Sequence, residues 1–88
     1  MTTTQTDSTT PRPINVIARE ISRDWKNVYF GARPYLEAMY SLDKITDNYI
    51  LDSGSSVVAY FLANASTWKG PVARTLKAEL NRMLKSAR

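Results

Sequence analysis

Arg74, Lys77, Asn81, Lys85 and Arg88 recur every three or four positions, a spacing that puts them along one side of a helix. Such a face could bind phosphate. It neutralises charge and releases counterions, and Asn or Arg can read base edges in a major groove. The stripe holds four cations, and the side of a helix opposite an apolar stripe is polar in any case. A merely solvated face accounts for the same pattern.

Asp43, Asp47 and Asp52 invite a calcium reading. They do not keep the alternate spacing of an EF-hand loop, and the acid required at loop position twelve is missing, so no metal is expected. The chain has no His and no Cys, which removes the commonest general base and the thiolate ligand. It has no Gly-rich phosphate loop and no helical Glu-x-x-His pattern. Catalysis needs an activated nucleophile or a tuned acid–base pair, and the carboxylates read as caps and solvated faces. The expectation is a non-catalytic protein with no cofactor and no small-molecule substrate. Asn64-Ala65-Ser66 matches the glycosylation triplet, a chance match where no export signal precedes it.

The aromatic residues are the third chemical resource. Trp25, Tyr29, Phe30, Tyr35, Tyr40, Tyr49, Tyr60, Phe61 and Trp68 are a heavy load for 88 residues. Most must line the core. Tyr and Trp are also the residues that anchor interfaces. Tyr29, Phe30, Tyr35 and Tyr40, near the ends of the first two helices, are the candidates for a contact with a second copy of the chain or with a host protein.

These residues are positioned by helices, in the reading the spacing supports. Ile14, Ile17, Ala18, Ile21, Trp25 and Val28 share one face and predict a helix over Ile14–Tyr29, started by Pro13 and stopped by Gly31 in a left-handed conformation. A second helix is predicted over Pro34–Leu42, with Arg33 held out of it by the following proline. Ser41–Ser53 reads as a loop with one helical turn, its apolar residues closing an end of the core. Asp52 or Ser53 then caps the next helix. From Val57 to Ala63 no charge appears, so Val57–Ala65 is expected to be a central helix, apolar all round and packed on several sides by the others. Ser56, Ala59 and Ala63 give it a small-residue side. The last helix is expected from Ser66 or Thr67 almost to the end, with Trp68, Val72, Leu76, Leu80, Met83 and Ala87 as its buried stripe.

The fold class that follows is all-α, a compact four-helix domain over 14–88 with a Thr- and Pro-rich disordered tail over 1–13. Such a tail cannot bury enough apolar surface to offset its ordering entropy. Charge is uneven. Residues 1–67 carry six basic and seven acidic residues, whereas 68–88 carry six basic residues against Glu79 alone. No apolar run approaches the roughly 20 residues of a bilayer span, and the N-terminus lacks a signal-peptide core. A soluble, cytoplasmic protein is expected, with no membrane partner.

The runs Ile17-Ala18-Arg19-Glu20-Ile21, Asp24-Trp25-Lys26-Asn27-Val28-Tyr29-Phe30-Gly31-Ala32, Pro34-Tyr35-Leu36-Glu37-Ala38-Met39 and Tyr60-Phe61-Leu62-Ala63-Asn64-Ala65 resemble a group of small proteins encoded by bacteriophages of actinobacteria. Trp68-Lys69-Gly70 followed by Ala73-Arg74 and Leu76-Lys77-Ala78-Glu79-Leu80 extends the resemblance to nearly everything after Pro13. The chain departs from the group at Pro71-Val72, so the start of the last helix varies. The resemblance implies expression inside an infected or lysogenic bacterial cell and carries over no functional residue. The resulting expectation is a phage accessory protein acting through protein–protein contacts, with self-association first among them. The alternative is nucleic-acid binding by the basic face of the last helix.

Overall fold

The computed structural model describes residues 12–87. Residues 1–11 of the expected tail, and Arg88, lie outside the described residues. Four helices and one hairpin follow in order: α1 (Ile14–Asp24), α2 (Arg33–Met39), β1 (Asn48–Tyr49), β2 (Asp52–Ser53), α3 (Gly54–Ala63) and α4 (Pro71–Ser86). The chain is therefore mostly helical and not strictly all-α. No described helix is long and apolar enough to cross a membrane.

The helices pack as a closed ring. α1 lies against α2 and α4, and α3 against α2, α4 and the hairpin. The ring encloses Ile14, Ile17, Ala18 and Ile21 of α1, Leu36 and Met39 of α2, Val57, Val58 and Phe61 of α3, and Ala73, Leu76, Leu80 and Met83 of α4. α3 is thus one wall of the ring and not a helix surrounded on all sides, since Ala59, Tyr60 and Ala63 face outward.

α1 ends five residues before the expected Tyr29. Trp25 still donates its amide to the Ile21 carbonyl at 2.8 Å, but its backbone is extended. The cause is tertiary. The Trp25 ring stacks on Trp68 with centroids 5.7 Å apart and meets Phe61 edge-on at 6.1 Å, while Phe61 meets Trp68 at 6.3 Å. The Trp68 indole N–H donates to the Asp24 carboxylate at 2.8 Å. Leaving the helix at Asp24 is what brings Trp25 into this triad. Gly31 does not stop α1 by a left-handed turn. Its value is room, because a Cβ there would lie 2.5 Å from the Tyr29 ring and 2.9 Å from the Asn64 Oδ1.

The start of α1 has no side-chain cap. Its free amides are met from another part of the chain: Ile14 N–H donates to the Asp43 carbonyl at 2.8 Å and Asn15 N–H to the Leu42 carbonyl at 2.9 Å. The Asn15 side chain adds a bond to the same Leu42 carbonyl. Arg33 opens α2 with Pro34 behind it, against the expectation that the proline would exclude it. At the first helical position its amide bonds the Phe30 carbonyl in a tight turn.

The segment expected to hold one helical turn forms the hairpin instead, with Tyr49 paired to Asp52 and Asn48 to Ser53. Ile50 and Leu51 make the two-residue turn and are 80 % and 96 % exposed; of the segment's other apolar residues, Leu42 is buried in the core and Ile45 and Tyr49 pack against it. Ser53 caps α3 by accepting the Ser56 amide at 3.1 Å. Gly54 must be glycine, because a Cβ would sit 2.8 Å from the carbonyl oxygens of Ile45 and Asp47. α4 starts at Pro71, later than expected, after Gly70 at φ 112°. Its buried seam runs through Ala73 and leaves Val72 and Ala87 outside.

Candidate interaction surfaces

The turn that leads into α2, closed by the Ala32 amide on the Tyr29 carbonyl, leaves two adjacent aromatic rings on the outside. Phe30 is 78 % exposed and Tyr29 44 % exposed, with ring centroids 4.9 Å apart. Tyr29 reaches across Gly31 towards Asn64, the residue that caps the end of α3. The Asn64 amide donates to the Tyr60 carbonyl one turn earlier at 2.9 Å. Tyr60 is 56 % exposed and leans on Tyr35 of α2, ring centroids 5.5 Å apart. Phe30, Tyr29, Asn64, Tyr60 and Tyr35 therefore form one continuous surface across the α2–α3 side of the ring.

Three of the four expected interface residues belong to this surface. Tyr40 does not join it: its hydroxyl bonds Ser22 on α1, which directs the ring round the other side of α2. Tyr60 was not among the expected four. Its position among the outward residues of an uncharged helix was the signal, and the assumption that α3 was enclosed hid it. Alongside Tyr60, Ala59 and Ser56 border a shallow cleft closed by Leu84 of α4 and by Ala87 just past its end.

The basic stripe of α4 is divided by the fold. Arg74, Asn81 and Lys85 are exposed, and Arg88 lies outside the described residues. Asn81 turns back on its own helix, donating to the Lys77 carbonyl. Lys77 is half-buried. Its ammonium donates to the Ala65 carbonyl at 2.8 Å and the Trp68 carbonyl at 2.7 Å, and lies 5.6 Å from the centre of the Trp68 ring. Burial, and secondarily the charge of Lys69, hold this lysine below its ordinary pKa. Two of its three protons thus serve the aromatic triad from outside.

Among the described residues no group of three or more His, Cys, Asp or Glu is placed to hold a metal ion. Asp47, one of the three aspartates considered for calcium, instead accepts the amides of Lys44 at 2.9 Å and Asp43 at 3.1 Å. Those bonds hold its carboxyl below the usual range. A cluster that composition does not reveal joins the chain ends of the domain. Arg12 donates to both Glu20 oxygens, at 2.8 and 3.0 Å, and to both Glu79 oxygens, at 2.8 and 2.9 Å. Sequence reading placed Arg12 in the tail; here it clamps α1 to α4.

No family model, curated protein or solved structure matches the chain.

Proposed function

We propose that the chain is a non-catalytic accessory protein working through protein–protein contacts, with the Phe30–Tyr29–Tyr60–Tyr35 surface as its contact and self-association as the form to test first. The observation that supports this reading is the exposure of Phe30, Tyr29 and Tyr60, joined through Asn64. Rigid aromatics give a large apolar contact at low entropic cost, and exposed clusters of them mark interaction sites. A domain of this size has little core to spare, so covering the face in a dimer adds stability as well. The resemblance of its sequence runs extends the proposal to a bacteriophage protein acting in the cytoplasm of its bacterial host.

Sedimentation velocity from about 1 to 100 µM, the range in which a micromolar dissociation constant shows, tests it. The expected result is a sedimentation coefficient that rises with concentration. The Phe30→Ser/Tyr60→Ser variant should stay monomeric at the wild-type melting temperature, since both side chains are exposed. A monomer throughout the range overturns self-association.

Nucleic-acid binding by α4 is the second reading, favoured by the exposure of Arg74 and Lys85 and by the absence of a salt bridge to either among the described residues. It predicts salt-sensitive retardation of duplex DNA in a gel. Arg74→Glu/Lys85→Glu is the informative variant. Lys77→Glu is not, because it removes the bonds to Ala65 and Trp68.

A further inference from the structure

Positive charge collects at the start of α4, where a helix tolerates it least. Trp68, Lys69, Gly70, Ala73, Arg74 and Lys77 line an open cleft of about 370 Å³. Three of the six are cations and none is an acid. No salt bridge among the described residues reaches them, the two found there being made by Arg12. Asp24 approaches this region but gives its carboxylate to the Trp68 indole. Lys69 and Lys77 are close enough for the charge of one to act on the other. Unpaired like charges held together oppose folding. Lys69 and Arg74 are exposed, whereas the half-buried Lys77 is fixed in the cleft by its two carbonyl bonds.

The first turn of α4 adds to the same potential. It contains no acidic residue and has no side-chain cap. The Gly70 carbonyl accepts from Arg74, while the amides of Val72 and Ala73 find no acceptor among the described residues. A multiply charged anion in the cleft would meet Lys69, Arg74 and the third proton of Lys77, and would relieve their mutual repulsion.

The geometry assigns this cleft as a phosphate-binding site, formed by Lys69, Arg74 and Lys77 and taking the phosphate group of a small phosphorylated molecule or of a nucleic-acid backbone. Trp68 is buried, so its ring offers no open face for a base, and recognition stops at the phosphate. The site lies apart from the aromatic surface and does not depend on it.

Titration of the full chain with sodium pyrophosphate, against sodium chloride at matched ionic strength, is the test, read by the backbone amide resonances of Val72 and Ala73. Saturable shifts specific to pyrophosphate are expected, with affinity reduced about tenfold or more in Lys69→Gln/Arg74→Gln, as for loss of charge-assisted contacts. Both substituted side chains are exposed and the change removes like-charge repulsion, so the variant should melt at or above the wild-type temperature. Phe30→Ser/Tyr60→Ser should bind as wild type, which separates this site from the aromatic contact. A second arm adds a random-sequence DNA duplex at low salt. Retardation lost in the lysine–arginine variant and competed by pyrophosphate identifies a backbone phosphate; pyrophosphate binding without retardation identifies a small phosphorylated ligand. Shifts that chloride reproduces, or that survive the double substitution, overturn the site.

Discussion

Single side chains decide how securely the ring closes. Phe61 is fully buried between Trp25 and Trp68, and Phe61→Ala should cost about 3–5 kcal/mol, enough to unfold a marginal domain. Urea denaturation measures it, and a midpoint near wild type would move the centre of the core elsewhere. At Gly54 the constraint is backbone on backbone. A methyl group there meets two carbonyl oxygens, so Gly54→Ala should lose about 1–3 kcal/mol in the same assay, as overpacking does. The core residues were largely legible in the sequence, because spacing at three and four marks one side of a helix whatever lies next to it. What a residue does outside that pattern was not legible. Lys77 reads as one more cation of a solvated face, and only the fold shows its ammonium spanning two carbonyls.

Among the elements, α1 and α4 followed from periodicity, but their ends and seams did not. α1 stops where Trp25 is wanted by Trp68, a partner 43 residues away in sequence that no local signal reveals. The seam of α4 passes through Ala73 instead of Val72, since both suit a core and only packing against α1 and α3 chooses. The hairpin was missed because its strands are two residues long and its turn lacks the usual residues. Ile50 sits at φ 56°, a left-handed conformation that strains a β-branched side chain. Glycine is the residue suited to the first position of such a turn. Ile50→Gly should therefore stabilise the protein by about 1 kcal/mol, visible as a higher melting temperature, with Leu51→Gly giving no such gain. For the candidate surface, Tyr29, Phe30 and Tyr35 were legible as aromatics near helix ends. Tyr60 needed the knowledge that α3 is a wall of the ring.

For the whole molecule, the Arg12 clamp joins the first described residue to the first and last helices. The hydrogen bond from Arg12 holds the Glu20 carboxyl below its ordinary 4.5. A carboxyl depressed in the folded state contributes stability that is complete above that ordinary value and disappears as pH falls through the lowered one. Glu20→Gln should therefore melt below wild type at neutral pH and converge with it as the solution is acidified past the folded pKa. Salt should narrow the gap, because the pair is partly exposed. Thermal melts across pH, at low and high salt, check both. The clamp also bears on synthesis. Arg12 and Glu79 lie 67 positions apart, the opening amides of α1 depend on carbonyls at Leu42 and Asp43, and Trp25 depends on Trp68. A ribosome adding about 5–20 residues per second exposes each early partner well before the later one exists. The ring should close only once α4 has emerged from the ribosome, so a nascent chain truncated before α4 would present Trp25 and Phe61 uncovered to the proteases of the cell.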